Sequence, residues 1–360
     1  MRTFLASLIV AAGLSLGPPA LAQPAVATGG CAAGGGLSFI CGVESPEDLK
    51  PIAGTRWMIV SGMQPGAGLK LVDTDAKTAL RWNTSPYQRV QRDARTYPAC
   101  ATPPDPARFE SHGLSLRAIG DGRYRLHVVG HTAREGVEVY EVDARPSVPT
   151  LTWVGCIPST DGLIFNAVAT FSDGEVLATV LFFPDLPAAA RTGNGPTGAV
   201  YRWTPGQAGF SRLPGTELAI PNGVETSRDD RSFYVVSYKD RTVSAFARGD
   251  APRLLGRSAS VDFSPDNIGW SGDWLIFAGD RHDEPACGGP RKFGPGQAEC
   301  NHGYVAARLD PATLAVSAVA YAEPNPDYSW ATTGVVVGDT LWLGSARGDR
   351  LAYRPLPRPK

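Results

Sequence analysis

Six polar positions, Glu47, His112, Asn166, Asn222, Asp266-Asn267 and Thr332, stand at the head of successive apolar runs. Carboxylates, amide oxygens and an imidazole are the groups that hold a hard cation or move a proton. Calcium takes about six to eight oxygen ligands at roughly 2.3–2.6 Å in a forgiving geometry. Glu47 and Asp266 would offset its two positive charges, and Asn166, Asn222 and Asn267 would add neutral carbonyl oxygens. Zinc prefers imidazole and thiolate in a tetrahedron, and this set offers one imidazole. Magnesium demands stricter angles and fewer protein ligands. The expected cofactor is one central Ca2+.

Taken singly, an asparagine near a strand end is a turn former that bonds its own backbone. The matching offsets argue otherwise. From Asn166, Asn222, Asp266 and Thr332 alike, an aspartate falls seven residues later, at Asp173, Asp229, Asp273 and Asp339, before a second apolar run. His112 reaches Asp121-Gly122 two residues late, and Glu47 reaches Gly54 at the same offset. Each unit closes with an alternating strand, from Leu69–Asp73 through Arg350–Arg354, which reads as half-buried. Six such units predict an all-β fold, a six-bladed β-propeller of four-stranded antiparallel blades over residues 46–357. Equivalent openings of six blades converge on one axis, so the polar side chains should meet there. Residues 23–45 should include a strand that completes the last blade.

Residues Met1–Ala22 have the charged start, apolar run and Ala20-Leu21-Ala22 ending of a secretory signal. The run is shorter than the roughly 20 residues that span a bilayer, and no later stretch is long and apolar enough. An exported protein, periplasmic or secreted, is expected. Its six cysteines should be bridged, as Cys31–Cys41, Cys100–Cys156 and Cys287–Cys300. The 41 Gly and 31 Pro punctuate turns, and a net charge of -1 offers no basic face to nucleic acid or anionic membrane. Composition leaves the oligomeric state open.

At Glu47-Asp48-Leu49, His112-Gly113-Leu114, Val128-Val129-Gly130-His131, Phe165-Asn166, Pro221-Asn222-Gly223 and Pro265-Asp266-Asn267-Ile268, the sequence resembles the paraoxonase and gluconolactonase superfamily of calcium-dependent six-bladed propellers. The resemblance implies catalytic-calcium ligands at Glu47, Asn166, Asn222, Asp266 and Asn267. It also implies a His112–His131 pair, with His112 as the base and His131 orienting it. Paraoxonases carry an aspartate after the blade-three asparagine, where it helps bind a second, structural calcium. Ala167 stands there in this chain, while Asp48 remains. The substrate implied is a small-molecule ester or lactone, its carbonyl polarised by the metal as His112 activates water.

Two other functions fit the same scaffold. One is a non-catalytic, calcium-stabilised propeller that binds a small ligand or a protein partner; the other is a quinone-dependent sugar dehydrogenase. The second needs a basic cluster that the openings lack, and the first has no need of His112. Long segments at Asn83–Glu110, Pro184–Gly198 and Asp280–His302 should wall the mouth; Trp82, Phe182, Phe183 and Tyr328 are candidates for its apolar lining, with blade packing the favoured reading of each. Gly193-Asn-Gly-Pro-Thr-Gly198 precedes a strand and contains a proline, so it reads as a loop and not a dinucleotide motif. No Gly-x-Ser-x-Gly elbow is present.

Overall fold

The computed structural model describes residues 26–27, 31–84, 86–193, 195–291 and 300–356. The Met1–Ala22 segment lies outside the described residues, as does 292–299 of the last long insertion. Six sheets are arranged around an axis, and in each the four main strands run outward from the innermost one in chain order, except that the outermost strand of blade 6 comes from the N-terminal segment. Those inner strands are Leu49–Pro51, Glu110–Gly120, Val168–Thr170, Pro221–Thr226, Phe263–Ser271 and Ala331–Val337, for blades 1 to 6. Each packs against its neighbours, and blade 6 meets blade 1. The ring closes when Ser38–Cys41 pairs with Arg350–Pro355 as the outer strand of blade 6. Blades 1 and 2 depart from four strands. Val26–Ala27 adds an antiparallel fifth strand to blade 1, and Gln88–Val90 adds a parallel one to blade 2.

The middle strands correct one expectation. Of the closing strands read as half-buried, Lys70–Asp73 is buried at every residue and Thr242–Ala247 at all but the last, and the apolar strands Trp57–Val60 and Val176–Val180 are fully buried as well. Their alternation assigns side chains to two seams instead of to core and solvent. Trp57 and Ile59 pack against blade 2, whereas Met58 and Val60 pack against blade 6. Six apolar clusters fill the six seams among the described residues. A central strand covered on both faces needs two apolar sets, and period-two spacing supplies one to each.

The three disulfides pair as expected. Cys31–Cys41 pins the ring-closing strand. Cys100–Cys156 ties the Asn83–Glu110 insertion to the outer strand Thr150–Pro158 of blade 2, not the segments that enter two successive blades. Three cystines are consistent with an oxidising compartment. No helix of the described residues is long and apolar enough to cross a membrane.

Cys100 and Cys156 are 56 residues apart. Loop-closure entropy for a ring of that size is worth roughly 4 kcal/mol. Replacing both by Ser should lower the free energy of unfolding in urea by up to about that amount, with the slope rising as the unfolded chain expands.

Candidate functional site

Each opening pair sits at a break in the ladder between the first two strands of its blade. Register shifts fall between Ser111 and Leu114, Pro221 and Val224, Pro265 and Ile268, and Ala331 and Gly334. These breaks bracket His112-Gly113, Asn222-Gly223, Asp266-Asn267 and Thr332-Thr333. In blades 1 and 3 the inner strand begins just after Glu47-Asp48 and Asn166-Ala167. A bulge frees a residue from pairing and re-aims its side chain, here toward the axis.

Neighbouring blades lock these bulges at close range. A Cβ on Gly113 would lie 2.6 Å from the Ala167 Cα, and one on Gly223 2.6 Å from the Asp266 carbonyl. Only glycine fits such an approach. Gly113 N–H donates to the Asn166 carbonyl at 3.2 Å, and Thr179 Oγ1 to the Asn222 carbonyl at 2.6 Å. Thr332 and Thr333 both donate their hydroxyls to the Glu47 carbonyl, at 2.6 and 2.9 Å. The sixth opening therefore supports the site's backbone.

The side chains meet in a connected chain. Glu135 Oε2 accepts from His131 Nδ1 at 2.7 Å, and His131 Nε2 lies 3.1 Å from His112 Nδ1. His112 Nε2 is 3.2 Å from Asn166 Nδ2 and 3.6 Å from Glu47 Oε1. Asn267 Nδ2 donates to Glu47 Oε1, and the Asn222 side chain is hydrogen-bonded to Asp266. All seven residues singled out in the sequence are thus gathered at one end of the channel.

Direction follows from the partners. With Glu135 ionised, His131 carries its proton on Nδ1 and accepts at Nε2. His112 then donates from Nδ1, which leaves Nε2 as an acceptor facing the Asn166 amide nitrogen. The Asn166 oxygen is turned away, and Asn222 behaves likewise after donating to Asp266. As a result Glu47 Oε2, Asn166 Oδ1 and Asn222 Oδ1 are buried with no hydrogen-bond partner. Orphaned buried acceptors are costly and rare.

Charge adds to the cost. Burial and the neighbouring Asp48 push the Glu47 carboxyl well above its usual range, and burial and Glu47 do the same to Asp266. Among the described residues no lysine or arginine lies within ion-pair distance of either. Burial also holds His112 down, at about 4, so its imidazole is neutral at pH 7. Two unpaired carboxylates and two orphaned amide oxygens make a donor set suited to a hard divalent cation. The described residues contain no cluster of three His, Cys, Asp or Glu positioned for a metal, so the fit depends on the amides.

The strand order places all three long insertions on this same face. Trp82 and Tyr328 take the blade-packing reading: both are core residues, bonded to the Pro149 and Gly344 carbonyls. Phe182 and Phe183 are half-buried beneath Arg191 and Arg212, and the exposed Ile164 lies two residues before Asn166. The sequence reading missed Glu135. A reversal through Thr132, at φ 57°, and Gly136, at φ 151°, returns it to His131, and no spacing rule for strands signals that.

The family model described as the SMP-30/gluconolactonase/LRE-like region matches residues 68–275, more than half of the 360-residue chain. The chain belongs to the SMP-30/gluconolactonase/LRE-like family. No curated protein matches this family member. Among solved structures, a gluconolactonase from Xanthomonas campestris is 16% identical with a TM-score of 0.50, covering 94% of this chain and 100% of its own. Luciferin-regenerating enzyme is 13% identical with a TM-score of 0.52, covering 88% and 93%. A Bacteroides thetaiotaomicron protein of unknown function is 11% identical with a TM-score of 0.54, covering 90% and 73%. At these identities the likeness is one of fold.

His127, on the strand that ends at His131, is packing. It is fully buried against Thr170, and burial pulls its imidazole down to about 3. A base held below its unfolded value, near 6.5, stabilises the fold above that pH and loses the contribution as pH falls toward about 3. His127→Gln should therefore lose less thermal stability than the parent between pH 6.5 and pH 4, as read by melting curves. Parallel curves for the two proteins would refute this.

Proposed function

We propose that this protein is a calcium-dependent hydrolase of lactones or related esters. The observation that carries the reading is that Glu47 Oε2, Asn166 Oδ1 and Asn222 Oδ1, all from strand openings at one mouth of the channel, are buried and unpartnered, with a neutral His112 beside Glu47 and Asn166. Family membership and the fold shared with a gluconolactonase support it. Glu47, Asn166, Asn222, Asp266 and Asn267 would hold one calcium ion. Bound there, the ion would act as a Lewis acid that stabilises negative charge on a carbonyl oxygen, a contribution of several kcal/mol.

The chain's own residues do the proton chemistry. His112 Nε2 accepts a proton from the attacking water as oxygen bonds to the acyl carbon. The same proton passes to the departing alkoxide oxygen when the ester C–O bond breaks, so the imidazole ends neutral. His131 and Glu135 are positioning residues. Glu135 fixes the His131 tautomer and stabilises the imidazolium through it, which offsets the weak basicity that burial imposes on His112. Ile164 and the half-buried Phe182 and Phe183 give the mouth an apolar side suited to an acyl chain or ring carbon.

With added calcium the protein should hydrolyse phenyl acetate or an aliphatic lactone, and EDTA should abolish turnover and lower the melting temperature. His112→Gln should cut kcat by about a hundredfold or more while the calcium-dependent melting shift survives. A variant as active as the parent overturns the base assignment. Calcium binding with no turnover across lactones, aryl esters and phosphotriesters favours the non-catalytic propeller instead.

Glu135→Gln should lower kcat about tenfold at nearly constant KM, the usual scale for losing an outer partner of an oriented imidazole. Glu135→Asp should recover part of it. The nitrogen chemical shifts of His131 should move from the Nδ1–H form toward a tautomer mixture. Unchanged shifts with unchanged kcat would remove Glu135 from the mechanism.

A further inference from the structure

Below the ring of donors the channel holds a cation that belongs to the chain. Lys50 lies on the inner strand of blade 1, yet its Nζ would stand 3.3 Å from a Cβ built on Gly269, in the inner strand of blade 5. Glu225 Oε2, from the inner strand of blade 4, would stand 3.9 Å from the same point. Blade 5 is not a neighbour of blade 1 in a six-membered ring, so the Lys50 side chain reaches across the channel past blade 6. Its Nζ is 3.4 Å from Asp48 Oδ1, and the side chain is 14% exposed.

Both carboxylates are also held by backbone N–H groups. Asp48 accepts the Leu49 and Leu114 N–H groups, each at 2.8 Å, one on either side of the blade 1–2 seam. Glu225 Oε1 accepts Thr226 N–H at 2.9 Å. Burial pulls Lys50 toward the neutral form, but Asp48 and Glu225, with a smaller contribution from Glu47, outweigh it and keep it charged.

Paraoxonases hold a second, structural calcium with the help of the aspartate after the blade-three asparagine, and the residues of this chain do not fit one. Ala167 offers no oxygen where an aspartate would, and the space beside Asp48 is taken by the ammonium. We infer that Lys50 is a built-in replacement for a second metal ion: its ammonium pairs with Asp48, offsets the charge of Glu225 beyond contact distance, and spans the channel from blade 1 to blade 5. This goes beyond the hydrolase reading and does not require it. A covalently tethered cation cannot be removed by a chelator, so the lower channel keeps its brace when free calcium is withdrawn.

The test is Lys50→Met, which keeps the stem and removes the charge, in the full chain. Bound calcium is counted by mass spectrometry after equilibrium dialysis, and melting temperature is followed against calcium. The expected result is about one more ion per chain in the variant than in the parent, with a larger rise in melting temperature on adding calcium. A folded variant with the parent's ion count and melting temperature overturns the inference. So does a variant that stays unfolded in millimolar calcium while Lys50→Met/Glu225→Gln folds, because calcium then cannot take the ammonium's place. The readout is a difference in ion number. It stands whether the parent binds one ion or none, and so is separable from failure of the proposed function.

Discussion

The structure depends on one constraint: six strands that converge on a common axis bring their opening residues into a space too narrow for ordinary solvation. Backbones approach closely enough that Gly113 and Gly223 have no room for a methyl group. Polar side chains delivered there must satisfy one another or wait for a ligand. The apolar seams outside make that confinement affordable. Six continuous clusters hold the blades in place whatever happens at the centre.

Within the confinement, hydrogen-bond direction decides what the site can do. A carboxylate only accepts, an amide does both, and a neutral imidazole does one at each nitrogen. Glu135 at one end sets the sense of the line through His131 and His112 to Asn166. At the other end, Asn267 and Asn222 commit their N–H groups to Glu47 and Asp266. What remains unspent is oxygen, on Glu47, Asn166 and Asn222. A site with acceptors to spare and no donors facing them is organised for a cation.

The repeat was legible in the sequence because a constant offset from strand opening to turn survives divergence that erases residue identity. It carried the blade count, and with it the convergence of Glu47, Asn166, Asn222, Asp266 and Asn267. Alternation was legible too, but its meaning was not. Val176–Val180 reads the same whether one face is wet or both are packed, and only the closed ring decides between them. Nothing in the sequence around Lys50 reveals that its charge is influenced by Glu225 of blade 4. Glu135 was hidden by a turn whose reversal depends on two left-handed backbone positions. Pairings between distant blades follow from ring order; contacts made inside a turn or across the axis do not.

The strand order separates what can vary from what cannot. Connections from the second to the third strand of each blade, and from the last strand to the next inner strand, all emerge on the face where the donors sit. The long segments 83–110, 184–198 and 280–302 belong to that set, whereas the opposite face carries short turns such as Asp121-Gly122 and Asp173-Gly174. Loops tolerate insertion far better than packed strands. The donors themselves are on bulges held by neighbouring blades, with Thr332 and Thr333 clamping the Glu47 carbonyl from the far side of the ring closure. Lengthening a mouth loop therefore reshapes what can enter without moving what it would meet. Exchanging a donor cannot be so local, because each amide's orientation is set by the residue it donates to. What can enter should thus drift with the loops of this face while the donor set at the centre stays fixed.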